Sequence, residues 1–575
     1  MESGFQYQIE EEGMEKKTPP RCPARIRRSL LCRAVTSACA GLAVSGTALA
    51  FQIDTGNPDI RMSWDNTVKY SASWRVRGVD AEVADNSIGP QVNTNDGDQN
   101  FGRGLVSNRL DLLSEFDFRF KRNYGFRVSG AAWYDQVYNE SNDNPGALGG
   151  ALLNQRSRPY NEFTRDTEKL HGRKAEFLDA FVYGSFAPGG MNLNLKAGRF
   201  TQLYGESLFF GSNGIAGAQT PLDLARALSV PNSQFKEVAR PVGQVSATLQ
   251  INADVTVGAY YQAEWRKSRL PAAGSYFSFT DFVDDGGERL ILGPGVEVFR
   301  GDDIEAKDSG QGGVQIRFKA GDSEYGFYAA QFHDKMPQFY VRPGVNVKPG
   351  SVGDYVMVYG ENIRTVGASF STLVGETNVA GELSFRDNMP LVGSGVTMIL
   401  PGNTTADGDD NAAFPKGRTM HLNLSAISVL GASPLWDGAS FVGEFAYNRR
   451  LKVTDNADQL DPLATRDASA IQFVFTPEYF QVAPGLDLQV PIGLAYGLSG
   501  RSSVNGVLFP SEQGGNLSIG VKADYQKTWQ AGLNYTHYFG SGGSVIRYNT
   551  AVPELSYENF HRDRDFISLS IQRTF

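Results

Sequence analysis

The chain has 575 residues but only three cysteines, Cys22, Cys32 and Cys39, all within the first fifty positions. Trimmed near residue 50 it has no thiol, which excludes disulfides, thiolate metal sites and cysteine nucleophiles and suits unfolded passage through an oxidising compartment. Histidine is scarce as well: His171, His333, His421, His537 and His561 are dispersed, without metal-ligand spacing. No run of about 18 apolar residues occurs downstream, so no helix can act as a membrane anchor. Positive charge is in deficit. The whole chain carries −9; the first fifty residues hold 5 acidic and 7 basic side chains, which leaves 58 acidic against 47 basic, or −11. That surplus argues against a nucleic-acid partner and fits solvated loop surface. Despite 64 glycines, no Gly-rich phosphate loop stands between a strand and a helix.

The N-terminus reads as an export signal. Arg25, Arg27, Arg28 and Arg33 form a basic region, Ala34 to Leu49 is apolar or small and uncharged, and Ala48-Leu49-Ala50 is an A-x-A cleavage site. Residues 1–50 are therefore expected to be an N-terminal extension and cleaved signal peptide, and 51–575 the exported domain. The polar stretch before about Pro23 reads as an over-long start, with Met14 an alternative. Thr36-Ser37-Ala38 before Cys39 is a poor lipobox. Arg27-Arg28 has a twin-arginine look, but a barrel crosses unfolded, which favours the general secretory route.

What is present is alternation. The chain ends Ile567-Ser568-Leu569-Ser570-Ile571-Gln572-Arg573-Thr574-Phe575, a half-exposed strand whose last residue is aromatic, as when an outer-membrane β-barrel closes. In the first strand Ile60, Met62, Trp64, Val68, Tyr70, Ala72, Trp74 and Val76 share one parity, and Arg61, Ser63, Asp65, Lys69, Ser71, Ser73, Arg75 and Arg77 the other. The second, about 106 to 121, sets Leu110, Leu112, Phe116, Phe118 and Phe120 against Arg109, Asp111, Glu115, Asp117, Arg119 and Lys121. Six charges on one strand face do not fit a soluble sandwich core; they can line a wet lumen.

Further strands are expected near 124–138, 176–187, 191–200, 242–252, 255–266, 312–320, 324–333, 363–373, 377–386, 418–430, 439–449, 468–478, 486–498, 515–525, 528–538 and 565–575, giving about eighteen. Short turns such as Arg122-Asn123, Gly321-Asp322 and Ala483-Pro484-Gly485 alternate with long polar connections, the pattern of periplasmic turns and extracellular loops. Pro491 removes a ladder donor and predicts a bulge or break. The fold class is thus all-β: a transmembrane antiparallel β-barrel in the outer membrane of a Gram-negative cell, in contact with the lipid bilayer and lipopolysaccharide and inserted by the barrel-assembly machinery through Phe575. Such a barrel leaves an aqueous lumen unless loops fill it. Two loops are too apolar for the cell exterior. One holds Tyr204, Glu206, Leu208, Phe209 and Phe210, then a short helix with Leu222 and Leu224, for which Thr220 is a candidate N-cap and Pro221 the first helical position. It reads as a constriction or lid folded into the pore. The other, about 268–311, carries Tyr276 and Phe277, read with the first as hydrophobic contacts.

Several blocks carry a resemblance: Asn93-Thr94-Asn95-Asp96-Gly97-Asp98-Gln99-Asn100-Phe101 with Val106-Ser107-Asn108-Arg109-Leu110, Gly198-Arg199 with Tyr204-Gly205-Glu206-Ser207, Leu270-Pro271 to Tyr276-Phe277-Ser278, Gly381-Glu382-Leu383-Ser384-Phe385-Arg386, Gly443-Glu444-Phe445-Ala446-Tyr447-Asn448-Arg449, and Thr476-Pro477-Glu478-Tyr479-Phe480 with Val490-Pro491-Ile492-Gly493. Together they resemble the proteobacterial family catalogued as domain of unknown function thirteen-oh-two, over nearly all of the exported chain. The resemblance implies a large outer-membrane barrel, with a periplasmic lipid-carrier-like protein and a resistance-nodulation-division exporter as partners, and traffic in hydrophobic or lipid-like molecules. It supplies no catalytic or binding residues. Arg573 departs from the aromatic usual third from the end of an assembly signal.

Catalysis is not expected, nor is a cofactor or metal. His421, Asn423 and Ser425 share one strand face and are the sharpest enzymatic alternative, an outer-membrane lipid hydrolase. Their phasing is toward the lumen, however, and residues two and four apart on a strand splay. Asn95-Asp96-Gly97-Asp98 and Asp407-Gly408-Asp409-Asp410-Asn411 lack EF-hand order and read as solvated turns, calcium bridging to lipopolysaccharide being the alternative. Arg109, Asp117, Arg199, Glu206, Glu382, Arg386 and Glu444 are expected as lumen charges that orient a solute's polar end or, more simply, pair with one another. The function expected is a channel or transporter for hydrophobic, amphipathic or lipid-like molecules; a general diffusion porin is the alternative.

Overall fold

A computed structural model describes residues 51–84, 89–146, 153–394, 397–398, 405–547 and 554–575. The expected signal segment, 1–50, lies outside the described residues. Eighteen antiparallel strands close on themselves. They are β1 Ile60–Arg75, β2 Gly104–Phe120, β3 Tyr124–Asp135, β4 Arg173–Phe186, β5 Asn192–Phe200 and β6 Val242–Gln250; β7 Val255–Gln262, β8 Gln311–Ala320, β9 Ser323–Phe332, β10 Ile363–Val374, β11 Thr377–Pro390 and β12 Lys416–Leu430; then β13 Gly438–Asp455, β14 Asp467–Ala483, β15 in two pieces Leu486–Gln489 and Ile492–Ser499, β16 Gly515–Tyr525, β17 Trp529–Phe539 and β18 Phe566–Thr574. Each strand pairs with its sequence neighbours, and β18 returns to β1 with Thr574 opposite Thr67 and Phe566 opposite Arg75. The break in β15 falls at Pro491, whose ring cannot donate to the ladder; its carbonyl still accepts from Gly520 N–H at 3.0 Å.

Parity decides which side meets which solvent. Trp64, Tyr70, Trp74, Leu110 and Leu112 are exposed on the outer surface, whereas the alternate Lys69, Ser71, Ser73, Arg75, Arg109, Asp111 and Glu115 are buried within. This is a water-soluble fold turned inside out: apolar outside, charged inside. Aromatic rings mark both rims, with Tyr124 and Phe186 edge to face at 5.7 Å near the turns and Trp74, Tyr134 and Tyr261 exposed toward the loops.

All eight short connections lie at one end of the barrel with Phe575, and all nine long ones at the other. The long connections hold a second sheet that the strand pattern does not announce. Its order is Thr397–Met398, Gln338–Pro343, Gly353–Val358, Val296–Arg300, Arg289–Gly293. Trp265, Phe282, Val341, Tyr355, Met357 and Tyr359 form its core. The apolar 268–311 segment belongs here. Tyr276 and Phe277 are buried with Phe101, Tyr138, Phe163 and Phe566, so they stabilise a loop cap and offer no surface to a solute.

Replacing a lipid-facing side chain tests the outer surface. Leu112, at mid-strand, is 42% exposed; Leu112→Arg should cost about 2–4 kcal/mol of folding into liposomes, whereas a water-facing leucine would lose almost nothing. An equilibrium folding titration that shows no loss would contradict the lipid-facing assignment.

Candidate functional site

The connection from β5 to β6, residues 201–241, enters the barrel and crosses it. A chain inside a lumen takes peptide groups away from bulk water, and each needs a partner. The wall supplies them. Glu444 on β13 accepts from the backbone N–H groups of Leu208 at 3.2 Å, Phe210 at 2.8 Å and Phe209 between them. Glu382 on β11 accepts from Glu206 N–H at 2.7 Å and Ile215 N–H at 2.9 Å. Arg386, also on β11, donates to the carbonyls of Ser212, Asn213 and Gly214 at 3.0, 3.1 and 2.8 Å. Asn213 adds a side-chain anchor, donating to Asn423 Oδ1 at 2.9 Å and lying 3.2 Å from His421 Nδ1. A side chain at Gly214 would collide with the Glu382 carboxylate, so the close grip requires glycine there.

The second half of the connection grips the opposite side. Arg226 pairs with Asp111 of β2 and with Glu237, both at 3.0 Å; Lys69 of β1 reaches Glu237 at 3.2 Å; and Asn232 donates to Ser570 of β18 at 2.8 Å. The connection is therefore a strut held at both walls. Its helix is Leu224–Ser229, with Asp223 as N-cap accepting from Arg226 N–H at 2.8 Å. Thr220, expected as the cap, instead donates to the Gln202 carbonyl at 2.9 Å. The reason is local: Leu222 bridges Ala239 and Asp223 bridges Arg269, so the chain stays extended until Asp223.

The strut's apolar residues divide. Tyr204 packs with Ile215, Tyr260 and Tyr328; Phe210 packs with Phe509, Ala446, Ala468 and Ala470. Phe209 is half-buried against the same cluster, and Leu208, Leu222 and Leu224 are half-buried as well.

The charges expected in the lumen divide between two duties: Glu382, Arg386 and Glu444 hold the strut, while Arg109, Asp117, Arg199 and Glu206 sit in ion pairs. Glu382, Arg386 and Glu444 hold strut backbone because peptide groups are what the strut brings to them. Others do pair: Arg109 with Asp111 at 2.9 Å, Arg317 with Glu206 at 2.9 Å, and Asp117 with Arg127 at 3.8 Å. Arg199 stands apart, bound to Glu264 at 2.6 Å near the loop end. His421, Asn423 and Ser425 face the lumen without joining one another. His421 meets Thr419 and Asn213, Asn423 donates to Glu444 at 2.7 Å, and Ser425 reaches the Glu206 carbonyl at 3.4 Å. All three serve the strut. Among the described residues no group of three or more His, Cys, Asp or Glu could hold a metal ion. Phe575 ends the last strand, its backbone exchanging hydrogen bonds with Asn66 at 2.8 and 2.9 Å; Arg573 stacks on Trp529 at 5.1 Å.

At the mouth, Asp98 corrects the solvated-turn reading. It is fully buried, paired with Arg564 at 2.8 Å and Arg75 at 3.3 Å, and Arg75 also meets Asp563 at 2.8 Å. Asp96 is buried too; Asp281 accepts from its backbone N–H at 3.2 Å and from that of Asn95 at 2.8 Å. The sequence block had shown a polar turn; its partner Arg564 lies more than four hundred residues away and gave no signal. Burial raises the Asp98 carboxyl, but Arg564 and Arg75 together outweigh it and hold it below the usual range. Burial and the Asp98 charge push Asp563 up to about 7, and burial pushes Asp96 to about 7.

Two measurements follow from this geometry. Glu444→Ala leaves three N–H groups without their acceptor, a loss on the order of 3 kcal/mol in strut docking; chymotrypsin should then cut at Phe209 or Phe210 in protein that is otherwise resistant, and an uncut variant would place the anchor elsewhere. For the mouth, a carboxyl with a raised folded-state pKa stabilises the fold below its unfolded value of about 4 and loses that contribution as pH rises toward about 7. Hydrogen-exchange protection of residues 93–101 and 561–565, corrected for intrinsic exchange, should fall from about pH 4.5 to about 7.5, and Asp563→Asn should flatten the fall.

A search of curated proteins finds no match. Solved structures with some likeness include Acinetobacter baumannii OccAB1, at 10% identity over 89% of this chain and 96% of that chain with a TM-score of 0.41. Acinetobacter baumannii OccAB4 matches at 9% identity over 90% and 100%, TM-score 0.40; the outer membrane protein opdK from Pseudomonas aeruginosa matches at 11% over 89% and 98%, TM-score 0.39. At such low identities and scores these likenesses support nothing further, and the barrel and strut stand on this chain's own residues. The family comparison reaches further, because its match spans residues 31–575: the chain belongs to the family described as "Protein of unknown function (DUF1302)".

Proposed function

We propose that this barrel is an outer-membrane channel that moves hydrophobic, amphipathic or lipid-like molecules, with the strut as its constriction or lid. The supporting observation is the strut itself: a peptide chain hydrogen-bonded across the lumen that carries the partly buried Leu208 and Phe209 beside Glu444. A general diffusion porin would be better served by a hydrophilic constriction. The lipid bilayer with lipopolysaccharide is the proposed setting, reached after cleavage near Phe51 and assembly through the last strand. A periplasmic lipid-carrier-like protein and a resistance-nodulation-division exporter, the partners the family resemblance implies, are kept as proposals that fit a solute arriving at the turn end. No catalytic step is assigned.

In a planar bilayer the intact protein should show low or flickering conductance for its width, and removal of residues 206–230 should open a large steady pore. A large ohmic wild-type conductance unchanged by the deletion would favour the general porin. Topology is tested in cells: single cysteines at Asn123 or Gly321 should react with an impermeant thiol reagent only once the outer membrane is breached, and one at Asp409 on intact cells. Asp98 should stay unreactive in both because it is buried.

A further inference from the structure

Arg199, expected among the lumen charges, is on the other side of the wall. The rings of Phe181 and Phe200 hold the Lys196 ammonium on the inner face, at 4.8 and 4.9 Å, and Phe200 is buried. Arg199 therefore shares the outward parity of Leu195 and Ala197, and lies opposite Gly243 of β6. Leu195 is 40% exposed and Val245 52%, and Tyr261 of β7, beside Val245, is exposed as well. Strand β5 has nine residues, of which Arg199 is the eighth; about nine is the shortest strand that crosses the hydrocarbon. Its guanidinium thus stands where the lipid-facing apolar surface ends.

Three guanidiniums gather there around one carboxylate. Glu264 folds over the outer face of Gly243 and accepts its N–H at 2.6 Å; a Cβ on Gly243 would meet that carboxylate at 3.2 Å. Arg199 reaches Glu264 Oε1 at 2.6 Å, and Arg266 reaches the same oxygen at 3.9 Å. Arg266 also donates to the Pro241 carbonyl at 2.9 Å, while Arg240, next to Pro241, donates to the carbonyl of Lys267, next to Arg266. Among the described residues Arg240 is in no ion pair. The nearby Glu176 and Asp223 are held by Arg269, and Asp308 accepts from Trp265 N–H at 2.8 Å. Burial, then the Arg269 and Arg266 guanidiniums, push Arg240 down to about 9, and Asp223 and Glu176 offset this only in part. Positive charge is in surplus.

The wall also steps at this point. Strand β4 begins at Arg173 but pairs with β5 only from Ala180 to Phe186, because β5 ends where the strut turns inward. Residues 173–179 have no strand beside them on that side. Arg269 spans the step to Glu176 at 2.8 Å, and Phe177 stands beside it 72% exposed.

We propose that Arg199 and Arg266, backed by Arg240, bind the phosphate of an outer-leaflet lipid, the phosphorylated head of lipopolysaccharide, whose acyl chains lie over Leu195, Val245 and Tyr261. Guanidiniums meet phosphate oxygens with paired donors. A soluble phosphate would use the charge but not the apolar surface beneath it; the lipid uses both. This rests on the outer-membrane reading above, with the long loops outside.

The test uses the full barrel in detergent with EDTA present, and native mass spectrometry to count bound lipid A carrying its two phosphates. The wild type should bind it at least about tenfold more tightly than lipid A stripped of both phosphates, and excess inorganic phosphate should not displace it. Arg199→Gln with Arg266→Gln should lose that preference while keeping heat-resistant barrel mobility. Glu264→Gln removes the competing carboxylate and should tighten binding severalfold, a gain that a purely structural ion pair would not give; it decides the matter if the double variant fails to fold. Equal binding of the two lipid forms, a double variant that binds as the wild type, or no gain from Glu264→Gln overturns the site. Displacement by inorganic phosphate overturns the lipid as its occupant, and binding only with added magnesium overturns direct guanidinium contact. Labelling at Asp409 and the strut deletion test the topology and the channel separately, and neither result depends on Arg199.

Discussion

Hydrocarbon offers no hydrogen bonds, and that constraint orders the whole molecule. Every backbone N–H and C=O at membrane depth has to find a partner within the chain, so the sheet must close, and closure of eighteen strands fixes a lumen. Once β18 pairs with β1, alternation along each strand has only one meaning: one parity faces lipid and the other faces whatever the lumen contains. Lys69, Arg109 and Asp111 are buried charges in consequence of that geometry, and they are tolerable because loop chain and counter-charges arrive to meet them.

The same rule then acts a second time inside the barrel. The strut carries unpaired peptide groups into a confined space, and the wall answers with Glu382, Glu444 and Arg386, each holding two or more of them. A charged acceptor that holds several N–H groups of consecutive residues fixes a backbone more firmly than side-chain packing alone. That arrangement explains how a loop with Leu208 and Phe209 only half covered keeps one course across a wide lumen.

Much of the barrel was legible because its physics is local. Strand β16 is readable at 515–525 from alternation alone, and Pro491 betrays its own break, since ring geometry needs no tertiary context. Legibility fails where partners are distant. Gly353–Val358 is a buried run whose strand character depends on Gln338–Pro343 and on parallel pairing with Phe299 and Arg300, none of it visible as period or turn. Asp98 looks like a solvated turn until Arg564 is placed beside it. Glu382 and Arg386 were recognisable as inward charges, but that they hold loop backbone rather than each other depends on where residues 206–215 travel. Thr220 and Asp223 are both good caps by chemistry, and the bridges at Leu222 and Asp223 chose between them.

The seam between first and last strands has one more consequence. Strand β1 is sixteen residues long and β18 nine, so β18 leaves part of its neighbour's edge uncovered. That edge is taken by Phe51–Ile53, which pairs with Trp64, Ser63 and Met62 in the same direction as β18. Phe575 lies opposite Asn66 and Phe51 opposite Trp64, so the two segments run head to tail along one edge with only the rung of Asp65 between them. The seam strand β1 thus keeps ladder partners on this side from Met62 to Arg75, Asp65 apart, and an edge that would otherwise offer a row of peptide groups to another chain is covered by the two ends of the described barrel acting in succession.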